Sequence, residues 1–352
     1  MDLELLCIGN ALVDIFAIGE EDIDFRYGLT EPVQHVPMEK LREILSVLPE
    51  FQVVSGGGAA NVAKIAGMLG VKAGFIGALG TGPGKKRDKT DQFGCVFENE
   101  LAEAGVQTWL PRKPSPTGVC LMLQMNDGAS RIAASPSAAL ELSEEDIDED
   151  ALRQARVVVI DGYMLDRGKL VKHIFDLADS CGTIVALDVS STGLARERAL
   201  EIITYARAYP LILFMNEDEA RAFYQVISQS GEDPLKESPG RTDVLGPQMI
   251  GLFRGFTAND FFPILTVKLG NRGAVVFAGG NVYRKETIPV IPLETTGAGD
   301  TFCAAFLAAW IRDKPLDECA DLGNKAARQV LDVQGAQPDP KGLKSLERYL
   351  KK

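Results

Sequence analysis

The chain has 352 residues, enough for one large α/β domain or two smaller ones, and its 46% hydrophobic and 24% charged residues exclude a disordered polymer. Its formal charge of −12 argues against a nucleic-acid partner, because phosphate backbones are met by a basic footprint. Small molecules are the expected partners.

Cys7, Cys95, Cys120, Cys181, Cys303 and Cys319 are scattered without a CxxC pair, and the histidines are His35 and His173. Neither a zinc site of common spacing nor a disulfide framework is expected. Met1-Asp2-Leu3-Glu4 lacks the basic start of a secretory signal, and the apolar run 302–311 is too short to cross a bilayer. The expected location is the cytoplasm.

Leu5-Leu6-Cys7-Ile8-Gly9 predicts a buried strand that delivers Asn10 and Asp14 to its carboxyl end. Residues 55–58 predict a glycine-rich turn, and Val62, Ile65, Ala66 and Leu69 then repeat at helical spacing over 59–69. Phe75-Ile76-Gly77-Ala78-Leu79 follows. Residues 80–92 carry Lys85, Lys86, Arg87 and Lys89 without apolar period or P-loop spacing, and predict an exposed insertion. Residues 119–125 and 131–134 predict a hairpin turning at Asn126-Asp127-Gly128, able to cover a site. Arg131 on that hairpin is either a phosphate contact or a solvated strand residue.

From residue 157 strands and helices alternate: a strand at 157–160, a helix at 170–180, a strand at 184–188, a helix near 196–205 and a strand at 211–214. This order predicts an α/β fold with a mainly parallel sheet covered on both faces. The polar stretch 229–246 predicts a surface loop, 264–268, 274–277 and 282–285 short strands, and 300–312 and 316–332 long helices. No internal repeat or linker is visible, so one domain is expected over 1–352.

The most informative stretch is Thr295-Thr296-Gly297-Ala298-Gly299-Asp300-Thr301-Phe302, at the start of a helical run. Glycines there let free main-chain N–H groups and the positive end of the helix dipole converge on an anion. A carboxylate on the same turn can accept the proton of an attacking hydroxyl, as phosphoryl transfer requires. The residues alone also allow a plain turn with Asp300 as a helix cap.

This stretch resembles the second signature of the ribokinase-like (phosphofructokinase B, PfkB) family of carbohydrate and nucleoside kinases, close to D-T-x-G-A-G-D. Ser55-Gly56-Gly57-Gly58-Ala59-Ala60-Asn61 resembles the first signature, Asn216-Glu217-Asp218-Glu219 the N-x-x-E element, and Lys268-Leu269-Gly270 the nucleotide-side strand turn. The resemblance implies a three-layer α/β/α fold with a small β-sheet lid formed by about 16–52 and 106–135. It implies transfer of the γ-phosphate of ATP to a hydroxyl, with Asp300 as base and Gly297, Ala298 and Gly299 stabilising the charge that develops. Asn10, Asp14, Gly57, Gly58 and Asn61 would hold substrate hydroxyls. Asn216 and Glu219 would order the Mg2+-bound triphosphate, Glu219 through water, and Lys268, Gly270 and Asn324 would lie along the nucleotide. Plainer readings stand beside these: strand-end caps for Asn10 and Asp14, a solvated helix residue for Glu219, an ordinary surface lysine for Lys268.

Glu294 stands where the family often has an Asp associated with a monovalent cation, which leaves a need for K+ open. The stretches 80–92 and 229–246 exceed the family pattern. Gly9-Asn10-Ala11-Leu12-Val13-Asp14 and Asp161-Gly162-Tyr163-Met164-Leu165-Asp166 resemble the adenosine-kinase-like branch. That implies a purine nucleoside as acceptor, ahead of a sugar or sugar phosphate, for which no arginine cluster is visible near the lid. Two rivals remain to weigh. A dinucleotide oxidoreductase lacks its G-x-G-x-x-G after the first strand, and retention of Asp300 argues against a nucleotide-binding regulator without catalysis. Monomer and homodimer are both open, since a lid edge can pair two subunits.

Overall fold

The computed structural model describes residues 3–19, 22–31, 33–82, 89–125, 130–230, 245–292, 295–331 and 340–350. Asn126-Asp127-Gly128, Lys85 to Arg87, Glu294 and most of 229–246 lie outside them.

Every residue of the strands Leu5–Ile8, Ala73–Ile76 and Val157–Asp161 is buried, so each strand needs apolar cover on both faces. Alternation provides it. Leu5 and Cys7 pack in one cluster with the helices Gly58–Met68 and Ala298–Ile311, while Leu6 and Ile8 pack in another with Gly168–Cys181 and Glu217–Ser230. The sheet between these layers has nine strands, in the order Asn281–Lys285, Ala274–Ala278, Ile264–Lys268, Leu211–Asn216, Ile184–Asp188, Val157–Asp161, Leu5–Ile8, Ala73–Ile76 and Gln107–Trp109. Ala274–Ala278 runs antiparallel to both its neighbours and the remaining pairs are parallel. This is the expected three-layer α/β/α fold.

Parallel strands bring their carboxyl ends to one edge, where ligands of such sheets bind. Asp161, Asp188, Asn216 and Lys268 are each the last residue of a strand, and Asn10 follows Ile8 closely.

A five-stranded sheet stands over that edge, in the order Val33–His35, Ser130–Ser135, Gly118–Gln124, Leu12–Ile18 and Gln52–Gly56. Period-two alternation sorts its faces. Val13, Ile15, Val119 and Leu121 join the core with Leu41 and Ile44 of the helix Met38–Val47, and Leu12, Asp14 and Cys120 turn the other way. The lid segments expected at 16–52 and 106–135 are apportioned differently. Leu12–Ile18 and Gln52–Gly56 belong wholly to the small sheet, whereas Gln107–Trp109 pairs with Ala73–Ile76 in the main one.

The turn expected at 55–58 is also divided. Ser55 and Gly56 pair with Val13 and Leu12 inside the lid strand, Gly57 alone turns the chain with φ 98°, and Gly58 already begins the helix. Of the 80–92 stretch, Gly80 and Asp91 are built into the fold, while Lys89 and Gln92 are exposed as expected. Gly80 is buried in a short strand, and Asp91 caps the helix Gln92–Glu103 through the Gly94 N–H at 2.8 Å while accepting from Thr117 N and Oγ1 at 2.7 and 2.6 Å. The helix expected near 196–205 is two, Thr192–Glu197 and Ala199–Ala208. Among the described residues no helix is long and apolar enough to cross a membrane.

A Cβ on Gly57 would stand 2.3 Å from the Asn10 carbonyl oxygen, at a φ that side chains avoid. Gly57→Ala is expected to cost about 2 kcal/mol or more, read as a lower urea midpoint; an unchanged midpoint would contradict the turn described.

Candidate active site

The carboxyl edge of the main sheet and the inner face of the lid enclose a cavity of about 730 Å3. Asn10, Asp14, Gly57, Gly58, Asn61, Asn216, Glu219, Lys268, Gly270, Ala298, Gly299, Asp300 and Asn324 all line it. Gly297 does not. It is the N-cap residue of Ala298–Ile311, with φ 74°, and its carbonyl accepts both the Thr301 N–H at 2.9 Å and the Thr301 hydroxyl at 2.8 Å. Gly297 therefore shapes the turn, and the residues after it face the cavity.

Ala298–Ile311 is buried along nearly its whole length, packed against Gly58–Met68 and the helix Leu316–Ala327. Only its mouth opens on the cavity. The N–H groups of Gly299 and Asp300 donate to no acceptor among the described residues, so they are available to an anion. The Lys268 ammonium stands over the same spot, 3.2 Å from where a Cβ on Gly299 would lie. Two free amides, a helix dipole and an ammonium make a donor set that fits a phosphate group.

Asp300 Oδ2 accepts from Asn61 Nδ2 at 2.9 Å, and Oδ1 points toward Gly58, 3.6 Å from where a Cβ there would stand. Burial pushes the Asp300 carboxyl up to about 7; the negative charges of Asp188 and Asp161 add to this, and the Asn61 bond and Lys268 oppose it. A carboxyl poised near neutrality suits a general base.

Lys268 Nζ forms a 2.6 Å ion pair with Asp188 Oδ2. Burial disfavours the ammonium, but Asp188 and Glu219 outweigh it and hold it charged. Asp188 Oδ1 is buried with no partner among the described residues. Asn216 and Glu219 bind each other reciprocally: the Glu219 carboxylate accepts from Asn216 N at 2.8 Å and Nδ2 at 2.7 Å, and Asn216 Oδ1 accepts from Glu219 N at 2.9 Å. This closed loop caps the start of Glu217–Ser230 and holds Glu219 inside, 2% exposed, rather than as a solvated helix residue. Burial raises Glu219 to about 7, against the pull of Lys268. Among the described residues no three Asp, Glu, His or Cys side chains converge as a direct metal shell. The carboxylates of Asp188 and Glu219 fit a cation that keeps its own waters. Asn324 donates to the Lys285 carbonyl at 3.1 Å, which ties its helix to the outermost sheet strand, and Gly270 turns the chain after Lys268 with φ 58°.

Asn10, just before the lid strand Leu12–Ile18, and Asp14, on the inner face of that strand, are both buried. The Asp14 carboxylate lies on the Cα of Gly56, where a Cβ would approach it to 2.3 Å. Arg131 pairs with Asp24 at 3.5 Å and does not line the cavity. Glu294 falls outside the described residues.

Asp161, Asp188 and Arg167 were not singled out as site residues by the sequence. Asp161 accepts from Ala59 N at 3.4 Å and Tyr163 N at 3.1 Å, beside the start of the helix Gly58–Met68. Each of the two aspartates ends an otherwise apolar parallel strand, and that position was the available signal. Arg167, in a loop, carried none.

A three-layer α/β fold in which a helix mouth with unpaired amides and a neighbouring carboxyl open on a cavity under a β lid is the architecture of a phosphotransferase acting on a small-molecule hydroxyl. The description "pfkB family carbohydrate kinase" matches residues 27–238 and 258–341, and the chain belongs to that family. The 5-dehydro-2-deoxygluconokinase of Clostridium perfringens is 24% identical over 364 residues, spanning 96% of this chain and 93% of that protein. The solved adenosine kinase from Sinorhizobium meliloti has a TM-score of 0.80 at 24% identity, over 99% of this chain and 100% of that one. A probable sugar kinase from Rhizobium etli CFN 42 has a TM-score of 0.81 at 23% identity, over 99% and 98% of the two chains. The fold is thus ribokinase-like, and the protein is a sugar or nucleoside kinase, a class that implies ATP with magnesium.

The raised Asp300 carboxyl has a consequence for stability. The unfolded chain ionises this group near 3.8, the ordinary value for an aspartate, whereas the folded protein keeps it protonated until about pH 7, so its contribution to stability is lost as pH rises between those values and stays lost above them. Asp300→Asn removes that loss. The gain over wild type is expected to grow from pH 4 to 7 and level off at roughly 2–4 kcal/mol, measured by urea unfolding of ligand-free protein. A gain independent of pH would remove the assignment.

Proposed function

We propose that this kinase moves the terminal phosphate of ATP to a hydroxyl of a purine nucleoside, with Asp300 as general base. The observation that carries the reading is the placement of Asp300 on the same helix turn as the two free amides, with one carboxylate oxygen held by Asn61 and the other open toward Gly58. Asp300 Oδ1 takes the acceptor's proton as its oxygen attacks. Asn61 keeps the carboxylate aligned, and the Gly299 and Asp300 amides with Lys268 hold the charge that builds on the migrating group. Bound Mg-ATP supplies the transferable phosphoryl and the cation that offsets its charge. Asn216 and Glu219 face that end of the cavity, Glu219 acting through a water of the metal, with Gly270 and Asn324 along the nucleotide.

Two features support a nucleoside. Asn10 and Asp14 supply donors and acceptors for a diol, while Leu12, Cys120, Ile132, Ala134 and the half-exposed ring of Tyr163 line the same region and suit a flat base. The adenosine kinase neighbour agrees with this choice. A sugar is the second reading, favoured by the relative that phosphorylates 5-dehydro-2-deoxygluconate, as its name states. For a sugar phosphate, no lysine or arginine is among the described lid residues that line the cavity, and Arg131 is engaged with Asp24.

Asp300→Asn is expected to fold and retain ATP while kcat falls about a thousandfold; near-normal turnover would refute the base. In a panel with ATP and magnesium, phosphate transfer to adenosine but not to ribose or fructose is expected, and the reverse pattern would move the assignment to the sugar branch.

A further inference from the structure

An asparagine can show a ligand either an oxygen or an NH2 group, and which one it shows decides what it can bind. At Asn10 a neighbour settles the choice. One terminal nitrogen of Arg167 donates to Asn10 Oδ1 at 2.8 Å, and the other donates to the Ala139 carbonyl at 2.7 Å. A guanidinium carries donors only, so an amide facing it must turn its oxygen inward, whichever way the electron clouds of N and O are first assigned. Asn10 Nδ2 then has no acceptor among the described residues, yet it is not sealed off, and Asn10 lines the cavity. Both its N–H groups are left for a ligand.

The same guanidinium reaches the lid. Ala139 lies in the short helix Ser137–Glu141, directly after the lid strand Ser130–Ser135, and Arg167 itself precedes the helix Gly168–Cys181. Arg167 Nε is buried without an acceptor among the described residues, a cost accepted by a side chain whose place is set by its two terminal nitrogens.

We propose that Arg167 is a positioning residue for the acceptor: it locks the Asn10 amide with its two donors facing an acceptor oxygen, and ties that lock to the base of the lid. The inference rests on reading the Asn10–Asp14 end of the cavity as the acceptor half. With Asp14 offering only lone pairs nearby, the pair selects an acceptor that presents hydroxyl oxygens there and discriminates against one that presents hydrogen or a second donor.

The test is steady-state kinetics with adenosine as probe, or with the sugar that the panel returns in its place. Arg167→Met is expected to raise the acceptor KM about tenfold while the KM for ATP and kcat change less than about twofold. Arg167→Lys, which keeps a donor, recovers part of the loss. Asn10→Ala raises the acceptor KM similarly, and the double variant is no worse than Asn10→Ala alone. Asn10→Asp keeps an acceptor for Arg167 but loses the donors, so it binds acceptor as poorly as Asn10→Ala with an undiminished Tm. Additive effects in the double variant, or an unchanged acceptor KM in Arg167→Met, would overturn the positioning role. Should Arg167→Met fail to fold, Asn10→Asp decides alone, wild-type acceptor KM being the refuting result. If Asn10→Ala raises the KM for ATP instead, the assignment of the acceptor half fails, not the Arg167 lock.

Discussion

One constraint governs the molecule: a helix buried on nearly all sides must open its mouth on the cavity under the lid. Ala298–Ile311 is lined by Ala304, Ala305, Ala308 and Ala309 among larger apolar residues, and small side chains let neighbouring helices come close. Packing fixes the axis, and with it the direction in which the unpaired amides point. Asp300 is then held where desolvation works against its charge. Asn61 and Lys268 offset that cost without removing it, which leaves the carboxyl near neutrality.

Charge in the cavity is lopsided. Asp14, Asp161, Asp188, Glu219 and Asp300 all face it, against Lys268 at the helix mouth and Arg328 among the described residues that line it. A polyphosphate entering alone would meet repulsion along much of its length, so the arrangement favours one that arrives with metal. Lys268 is in turn held by Asp188 on the adjoining part of the sheet edge, and the strand register that sets Asn216 beside Lys268 brings the Glu219 loop into the same field. The electrostatics thus follow from which residues end the parallel strands.

Local patterns made much of this legible. Apolar runs with polar residues at their carboxyl ends marked the sheet and the edge on which the cavity lies, and the glycine turn before an apolar helix marked the helix mouth that opens there. What stayed hidden depends on partners distant in sequence. Arg167 meets Asn10 across 157 positions, and nothing near Arg167 announces it. Gln107–Trp109 reads like its lid neighbours, yet pairing with Ala73–Ile76 assigns it to the main sheet. The helices Met38–Val47, Gln92–Glu103 and Pro247–Ala258 were not read from sequence, although Met38, Leu41 and Ile44 in the first and Met249, Leu252, Phe253 and Phe256 in the last repeat at helical spacing. Residues 80–92 looked like one insertion because Asp91 reveals its role only opposite Thr117.

The glycine run 56–58 looks uniform as a string, but its members answer to different neighbours. Position 56 is emptied by the Asp14 carboxylate and position 57 by the Asn10 main chain, whereas at 58 a methyl group would meet Asp161 and Asp300 only at an ordinary 3.6 Å. Two of the three vacancies are therefore imprints of Asn10 and Asp14, and a graft of this loop into another scaffold would carry its shape only if residues 10–14 travelled with it.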